Sequence, residues 1–144
     1  MNQAQKTTGK PLRVLIVEDS EKDAALLVRV LRDGGYTPTI ECVDSAAAMQ
    51  DALQKHAWDI IFSDHDMPGF DSLGALKALQ GSGLNIPFII VSGGISDAVA
   101  AEVLRAGARA YIKKSNLPQL LGVVERELQK SPPKHPAWTT GSAN

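Results

Sequence analysis

The sequence predicts an α/β fold, in which five parallel strands form a doubly wound sheet with helices on both faces. Five short apolar segments alternate along the chain with segments whose apolar residues recur at helical spacing. The apolar segments are rich in Val, Ile and Phe, which is typical of parallel strands that are buried on both faces. Because a helix follows every strand, the crossovers between strands are expected to be right-handed.

Runs of β-branched and aromatic residues mark the five predicted strands. They occupy residues 12–17, 39–43, 59–63, 88–91 and 110–112. Residues 88–91, Phe-Ile-Ile-Val, give the strongest strand pattern, and Pro87 opens that segment. Residues 39–43 alternate between apolar and polar side chains, which also indicates a strand.

The predicted helices carry capping residues at their ends and an apolar stripe along one face. The expected N-caps are Ser20, Ser45 and either Ser96 or Asp97, and the expected stops are Gly34-Gly35 and Gly107. The residues expected to face the core are Ala24, Leu27, Val28 and Leu31 in the first helix; Met49, Ala52 and Leu53 in the second; Leu73, Leu76 and Leu79 in the third; Ala100, Val103 and Leu104 in the fourth; and Leu117, Leu120, Leu121, Val124 and Leu128 in the fifth.

Length and composition fit a single domain with a sizeable core. The chain has 144 residues, of which 44% are hydrophobic, and its formal net charge is −1. This charge gives no indication of a uniformly basic face for nucleic acid, and no apolar run approaches the roughly 20 residues that span a bilayer. The single cysteine, Cys42, cannot form an internal disulfide, and no Cys/His cluster has zinc-ligand spacing. These features predict a cytoplasmic protein that binds neither nucleic acid nor membrane directly.

Both ends of the chain are rich in polar residues and proline. We expect a flexible N-terminal tail at residues 1–11, one globular domain at residues 12–130 and a flexible C-terminal tail at residues 131–144. The N-terminal segment lacks the apolar stretch of a secretory signal.

Polar side chains follow four of the predicted strands at their carboxyl ends. They are Glu18 and Asp19 after the first strand, Asp64 after the third, Ser92 at the end of the fourth and Lys114 after the fifth. In open parallel sheets, binding sites form at this edge, near the point where the strand order reverses. The sequence therefore predicts that three acids, a hydroxyl and an amine converge on one rim.

The chemistry of such a rim can be inferred from its side chains. Three neighbouring carboxylates repel one another, and a bound divalent cation would relieve that repulsion. Oxygen ligands favour Mg²⁺ or Mn²⁺ over zinc. A carboxylate can also act as a nucleophile toward phosphorus and form an aspartyl phosphate. The metal and a lysine ammonium would then neutralise charge on the transferring phosphoryl group.

Four segments of the chain resemble motifs of the response-regulator receiver family. Residues 14–19, Val-Leu-Ile-Val-Glu-Asp, are similar to the family's first strand and acidic pair. Residues 63–69, Ser-Asp-His-Asp-Met-Pro-Gly, resemble its phosphoacceptor loop. Residues 90–93, Ile-Val-Ser-Gly, resemble the strand that ends in the switch hydroxyl, and residues 106–114 resemble the approach to the aromatic residue and the active-site lysine. The resemblance covers about residues 12–130 and implies a flavodoxin-like sheet with strand order 2-1-3-4-5.

The resemblance also implies a role for each of these residues. Asp64 would be the phosphoacceptor, and Lys114, which stands three residues after Tyr111, would pair with the phosphoryl group. Ser92 and Tyr111 would form the switch pair, in which the hydroxyl moves toward the phosphate and the aromatic ring turns inward. The residues implied to bind Mg²⁺ are Asp19, Asp64, the backbone carbonyl of Asp66 and, mainly through a water molecule, Glu18.

The chain departs from the family's pattern near the site. Ser115 replaces the proline that usually follows the lysine, and a cis bond before a non-proline residue costs about 2.5–4 kcal/mol. Whether the Lys114–Ser115 peptide bond is cis or trans is therefore open. Ser72 replaces a glycine, and Asp66 adds an acid two residues past the acceptor. Asp66 could shorten or lengthen the lifetime of the phosphoryl group, and rapid dephosphorylation is favoured. His65 is interpreted as an ordinary loop residue.

The resemblance implies a phosphoacceptor module of a two-component or phosphorelay system rather than an enzyme. It would receive its phosphoryl group from a histidine kinase or a histidine phosphotransfer protein and signal to an unknown downstream protein. The contacts would use the face formed by the fourth helix, fifth strand and fifth helix, in a monomer or a homodimer. No separate output domain fits within this length, unless the chain is a piece of a longer protein.

Other function classes remain open. A receiver-like interaction domain could keep the fold without phosphorylation, and Ser115 is the feature that would support it. A metal-dependent phosphatase on a similar sheet would also use a strand-end aspartate, but no second domain is available to cap a substrate. The sequence contains no P-loop glycine run and no Ser-His-Asp order. A flavodoxin-like cofactor carrier would need a phosphate-cradling loop after the first strand, where acidic residues stand instead.

Overall fold

The computed structural model describes residues 9–65, 67 and 69–130, and this part of the chain alternates between strands and helices. The strands are β1 (Lys10–Val17), β2 (Tyr36–Val43), β3 (Ile60–Ser63), β4 (Phe88–Ser92) and β5 (Ala110–Lys113). The helices are α1 (Glu21–Asp33), α2 (Ala46–Lys55), α3 (Ser72–Ser82), α4 (Asp97–Ala106) and α5 (Gln119–Lys130), with a 3₁₀ turn at Lys114–Asn116. Most of the two predicted tails lies outside the described residues, and so does Asp66.

The five strands form one parallel sheet in the order β2-β1-β3-β4-β5, which confirms the predicted fold. The chain leaves β1 toward β2 and then returns to β3 on the opposite side of β1. At such a reversal the two connections diverge, and a crevice opens at the carboxyl ends of the strands. Glu18 and Asp64, one residue beyond β1 and β3, therefore flank the same crevice.

Two strands extend further than the apolar pattern predicts. β1 begins at Lys10, where the sequence predicts residue 12, and β2 begins at Tyr36, where it predicts residue 39. Lys10 pairs with Tyr36, and the Lys10 backbone N–H donates to the carbonyl of Gly35 at 3.0 Å. Backbone pairing does not require an apolar side chain, so a pattern built on hydrophobicity underestimates these strand ends.

The predicted N-caps are confirmed in three helices. The hydroxyls of Ser20, Ser45 and Ser96 accept backbone N–H hydrogen bonds from Asp23, Ala48 and Val99 at 3.2, 3.1 and 3.2 Å. Gly107 ends α4 with a φ of 131°, a backbone conformation that side-chain-bearing residues rarely adopt. The three serine N-caps fix where α1, α2 and α4 begin at the rim that carries the strand ends.

The core consists of two layers, one on each face of the sheet. One layer packs α1 and α5 against residues such as Val14, Ile16 and Phe62, and the other packs α2, α3 and α4 against residues such as Leu15, Val17 and Ile61. Successive strand residues alternate between the two layers, as the period of two in a strand requires. None of the helices in the described part of the chain is long and apolar enough to cross a membrane.

Helix α4 departs from its predicted packing. Ala100, Val103 and Leu104 are predicted to face the core, but only Val103 is buried in α4, and Leu104 is 41% exposed. The helix contacts α3 and β5, which is the edge strand of the sheet. Its apolar stripe is therefore wider than the surface that it buries.

Helix α5 buries a charged residue that the sequence pattern does not predict. The side chain of Glu127 is 1% exposed, and its Oε1 accepts a hydrogen bond from Arg109 Nη1 at 3.0 Å. Its Oε2 lies 3.2 Å from Arg126 Nε and 3.7 Å from Lys130 Nζ. One buried carboxylate thus joins α5 to the residue just before β5.

Arg109→Met is expected to lower the free energy of unfolding by about 2 kcal/mol, because it leaves Oε1 of a buried carboxylate without its partner. Urea unfolding followed by far-UV circular dichroism measures this loss. Arg105→Met is the matched control, since Arg105 is an exposed arginine in the last turn of α4, and it should change the free energy of unfolding by less than about 0.5 kcal/mol.

The double variant Arg109→Met/Glu127→Met should recover most of the loss, because apolar replacement of both partners of a buried ion pair is often neutral. A double variant that loses the sum of the two single effects would contradict this account.

Candidate functional site

Three carboxylates meet at the crevice between β1 and β3. Oxygen atoms of Glu18, Asp19 and Asp64 all lie within 4.8 Å of one another. The backbone fixes two of these residues, since the Glu18 N–H donates to Val43 O and the Asp64 N–H donates to Val17 O, each at 2.9 Å. Glu18 and Asp64 are buried and Asp19 is exposed. The predicted convergence of these acids is therefore present, with its open side at Asp19.

Asp64 has a carboxylate oxygen that the described residues leave without a partner. Its Oδ1 is buried and accepts no hydrogen bond within the described part of the chain. A buried, unpaired carboxylate oxygen is costly, and two further carboxylates next to it add repulsion. The site is thus suited to a cation that takes oxygen ligands.

Lys114 points its ammonium group into this acidic cluster. Its Nζ lies 2.6 Å from Asp23 Oδ2, 2.9 Å from Glu18 Oε1 and 3.7 Å from Asp64 Oδ2. The neighbouring Lys113 is exposed, so of the two adjacent lysines it is Lys114 that reaches the predicted site. The Lys114–Ser115 peptide bond, which the sequence leaves open, is trans.

Burial, hydrogen bonds and neighbouring charges together shift the pKa values of two residues of the site. Burial lowers the pKa of Lys114, but the hydrogen bonds to Asp23 and Glu18 and the charge of Asp64 outweigh it and hold that pKa above its usual range. Burial raises the pKa of Glu18, the charge of Asp64 adds to the rise, and the hydrogen bond from Lys114 opposes it. The cluster therefore favours positive charge, as expected where acids outnumber bases.

Asp23 contacts Lys114 at the site, although its position in the sequence does not mark it as a site residue. The sequence places it in the first turn of α1, where an acid is already explained by the helix dipole and by the Ser20 cap. Its contact with Lys114 spans 91 residues of chain. The only sequence signal was its position one helical turn beyond the Glu18-Asp19 pair, which placed it near the rim.

The two predicted switch residues lie on β4 and β5. Ser92 ends β4 and is fully buried, and Tyr111 lies on β5, half-buried against the core layer of α2, α3 and α4. The Tyr111 hydroxyl is buried and finds no hydrogen-bond partner among the described residues. The neighbouring strand pairing, Ile90 with Tyr111 and Ser92 with Lys113, puts the two residues on adjacent strands.

The loop after Asp64 is anchored to the start of α3. His65 Nδ1 lies 2.7 Å from the hydroxyl of Ser72, a fully buried residue at the first position of α3. Asp71 caps the same helix by accepting the Gly74 N–H at 2.9 Å. His65 therefore has a structural partner, whereas the predicted contact of the Asp66 carbonyl lies outside the described residues.

Comparisons of the sequence and of the structure with known proteins both find relatives in one family. The family profile described as the response regulator receiver domain matches residues 14–125. The chain is 30% identical over 111 residues to the response regulator UvrY of Escherichia coli strain K12, which covers 75% of this chain and 50% of UvrY. It is 27% identical over 112 residues to the chemotaxis protein CheY of Pseudomonas aeruginosa, which covers 76% of this chain and 90% of CheY.

Solved structures agree with these sequence relatives. The receiver domain of a signal transduction histidine kinase from Syntrophus aciditrophicus superposes with a TM-score of 0.72 at 28% identity, over 87% of this chain and 96% of that domain. The receiver domain of the Francisella response regulator 1452 has the same fold, with a TM-score of 0.72 at 24% identity over 83% of this chain and 98% of that domain. The chain spans about half the length of the UvrY relative. By its motifs, its sheet order and its acidic crevice, the chain belongs to the response regulator receiver domain family.

Proposed function

We propose that this chain is a phosphoacceptor module that takes a phosphoryl group from a phosphohistidine onto Asp64 and passes the signal through protein contacts. The observation that carries the proposal is the crevice itself, where a buried aspartate stands between two acids and a lysine ammonium 3.7 Å away. Receiver domains interact with histidine kinases, so the donor would be a histidine kinase or a histidine phosphotransfer protein.

The residues at the crevice fit a bound Mg²⁺ ion. Carboxylates are hard oxygen ligands, and Mg²⁺ usually binds through one or two of them while it keeps several waters. The Oδ1 of Asp64, which has no hydrogen-bond partner among the described residues, is the ligand atom that supports this assignment best. Asp19, Asp64 and the Asp66 carbonyl would hold the ion, with Glu18 beside it. When bound, the ion would supply positive charge to the transferring phosphoryl group.

The chain's own residues would supply the rest of the chemistry. A carboxylate oxygen of Asp64 forms the new O–P bond as the N–P bond to the donor histidine breaks, and the histidine nitrogen keeps that electron pair and takes up a proton. Lys114 would neutralise charge on the phosphoryl oxygens, as preorganised cations do in phosphoryl transfer. The positions of these side chains at the rim support each of these roles.

Ser92 and Tyr111 would transmit the phosphorylation of Asp64 to the surface of the domain. A hydroxyl at the end of β4 can donate to a phosphoryl oxygen on the adjacent strand, and a half-buried aromatic ring on β5 can respond to that movement. No residue in the described part of the chain hydrogen-bonds to the Tyr111 hydroxyl, which supports a ring that can move. The change would be read on the face of α4, β5 and α5 by an unidentified protein or by a second copy of the chain.

The proposed domain comprises the predicted residues 12–130 together with Lys10 and Pro11, which belong to β1, and the flanking segments 1–9 and 131–144 would serve as tails. The relative from Syntrophus aciditrophicus is a receiver domain of a histidine kinase, which supports a role close to a sensor kinase. The alternative function is a receiver-like domain that binds its partner without phosphorylation, and Ser115 is the residue that favours it.

Labelling by acetyl phosphate tests the proposal. The full chain is incubated with acetyl phosphate in Mg²⁺ or in EDTA, and intact mass reports the added phosphoryl group. We expect labelling in Mg²⁺ and its loss in EDTA. Borohydride reduction of the acyl phosphate, which releases the phosphate, should leave homoserine at position 64. A wild-type chain that never accepts phosphate from acetyl phosphate or from any histidine kinase would leave the interaction domain as the better account.

A further inference from the structure

Asp23 makes the shortest contact to Lys114 of the three acids around it. Its Oδ2 lies 2.6 Å from the ammonium, against 2.9 Å for Glu18 and 3.7 Å for Asp64. The N-cap of α1 holds the Asp23 backbone in place, since the Asp23 N–H donates to the Ser20 hydroxyl at 3.2 Å. The contact therefore ties the first turn of α1 to the loop that follows β5.

The backbone around Lys114 does little to fix its side chain. Lys114 opens the 3₁₀ turn Lys114–Asn116, whose N-cap makes no side-chain hydrogen bond, and Ser115 and Asn116 are exposed. A lysine side chain has a flexible four-carbon stem, so its ammonium can take many positions. The carboxylates that it contacts are consequently what places it.

The hydrogen-bond capacity of the ammonium explains why this placement matters. A lysine ammonium has three N–H donors and no acceptor. Asp23 and Glu18 each accept one of them, and Asp64 Oδ2 lies beyond hydrogen-bond length at 3.7 Å. One donor thus remains next to the acceptor carboxylate without being bonded to it.

We propose that Asp23 is a positioning residue for phosphoryl transfer, which holds the Lys114 ammonium off Asp64 and in place for the incoming phosphoryl group. This inference rests on the phosphoacceptor function proposed above. Without Asp23, Glu18 and Asp64 are the partners that the described residues leave to the ammonium, and it closes on the Asp64 oxygen. The attacking carboxylate is then paired, and the position of the phosphoryl oxygens is occupied.

The test measures the rate at which acetyl phosphate labels Asp64 in saturating Mg²⁺. Asp23→Asn is expected to label about tenfold more slowly, because small displacements of a catalytic group are costly in rate. Asp23→Glu, which restores the carboxylate, is expected to recover most of the wild-type rate. Glu21→Gln is the matched control, since Glu21 is an exposed acid in the same turn of α1, and it should label at the wild-type rate.

A Lys114→Met background separates positioning from a general effect of charge or folding. If Asp23 acts through Lys114, Asp23→Asn should change the slower labelling of Lys114→Met by less than about twofold. A wild-type rate for Asp23→Asn, or an undiminished tenfold effect in the Lys114→Met background, would overturn the proposal and leave the phosphoacceptor function standing. A wild-type chain that never labels would remove that function, and this inference with it.

Discussion

Asp64→Asn is expected to abolish labelling by acetyl phosphate and, in the absence of divalent cations, to stabilise the fold. An amide does not attack phosphorus as a carboxylate does, so the loss of labelling should be complete. Asp64 is buried beside two other acids, and its Oδ1 has no partner among the described residues. Removing its charge relieves this repulsion, and we expect a gain of about 1 kcal/mol in the free energy of unfolding in EDTA.

In Mg²⁺, the wild type should instead be more stable than Asp64→Asn. A ligand that binds only the folded chain stabilises it by about 2.7 kcal/mol at 100 times its dissociation constant, and the wild type should show this gain while Asp64→Asn shows much less of it. Urea unfolding with and without Mg²⁺ measures both effects. Asp51→Asn, an exposed acid on α2 that pairs with Lys55, is the matched control and should keep the wild-type response. If Mg²⁺ stabilised Asp64→Asn as strongly as the wild type, the ion would bind elsewhere.

Lys114→Met is expected to slow labelling of Asp64 by about 100-fold, the usual cost of removing one preorganised charge from a transition state. It should also lower the free energy of unfolding in EDTA by about 2 kcal/mol, because it leaves Glu18, Asp23 and Asp64 without their common cation. The folded-state pKa of Lys114 is raised, so its contribution to stability is fully present at pH 7 and is lost only at strongly alkaline pH.

Lys113→Met is the control for this prediction. Lys113 is the preceding residue and is exposed, so its replacement should change stability by less than about 0.5 kcal/mol and leave the labelling rate unchanged. Mg²⁺ should reduce the destabilisation of Lys114→Met, because the ion replaces part of the missing positive charge. Equal effects of the two substitutions would mean that the acidic cluster does not depend on Lys114.

Most of the rim could be predicted because its residues stand next to strong local patterns. Glu18, Asp64 and Ser92 each follow or end a short apolar run, and the carboxyl ends of parallel strands share one edge of the sheet. Their meeting therefore depends only on recognising strands and on a general rule of topology. The choice of Lys114 over Lys113 came from the family's motif, which places the lysine three residues after the aromatic residue, and the ammonium does lie among the acids.

The contacts that were not predicted join residues whose local surroundings already explain them. Asp23 has an ordinary place in the first turn of α1, and the Arg109–Glu127 pair would fit equally well as two exposed charges. The number of core-facing residues in α4 is overestimated for the same reason. Leu104 fits a helical apolar stripe, but the fold leaves it exposed.

The sequence by itself determined the order of strands and helices, the caps that start three of the helices, and the acids, hydroxyl and lysine that belong to one rim. Only the tertiary structure decided which charged residues pair: Asp23 with Lys114, and Arg109 with the buried Glu127. The physical reason is that propensity and periodicity act over a few neighbouring residues, whereas an ion pair depends on a distance in space. These two pairs span 91 and 18 residues of chain, and only the packing of α1 and α5 against the sheet sets that distance.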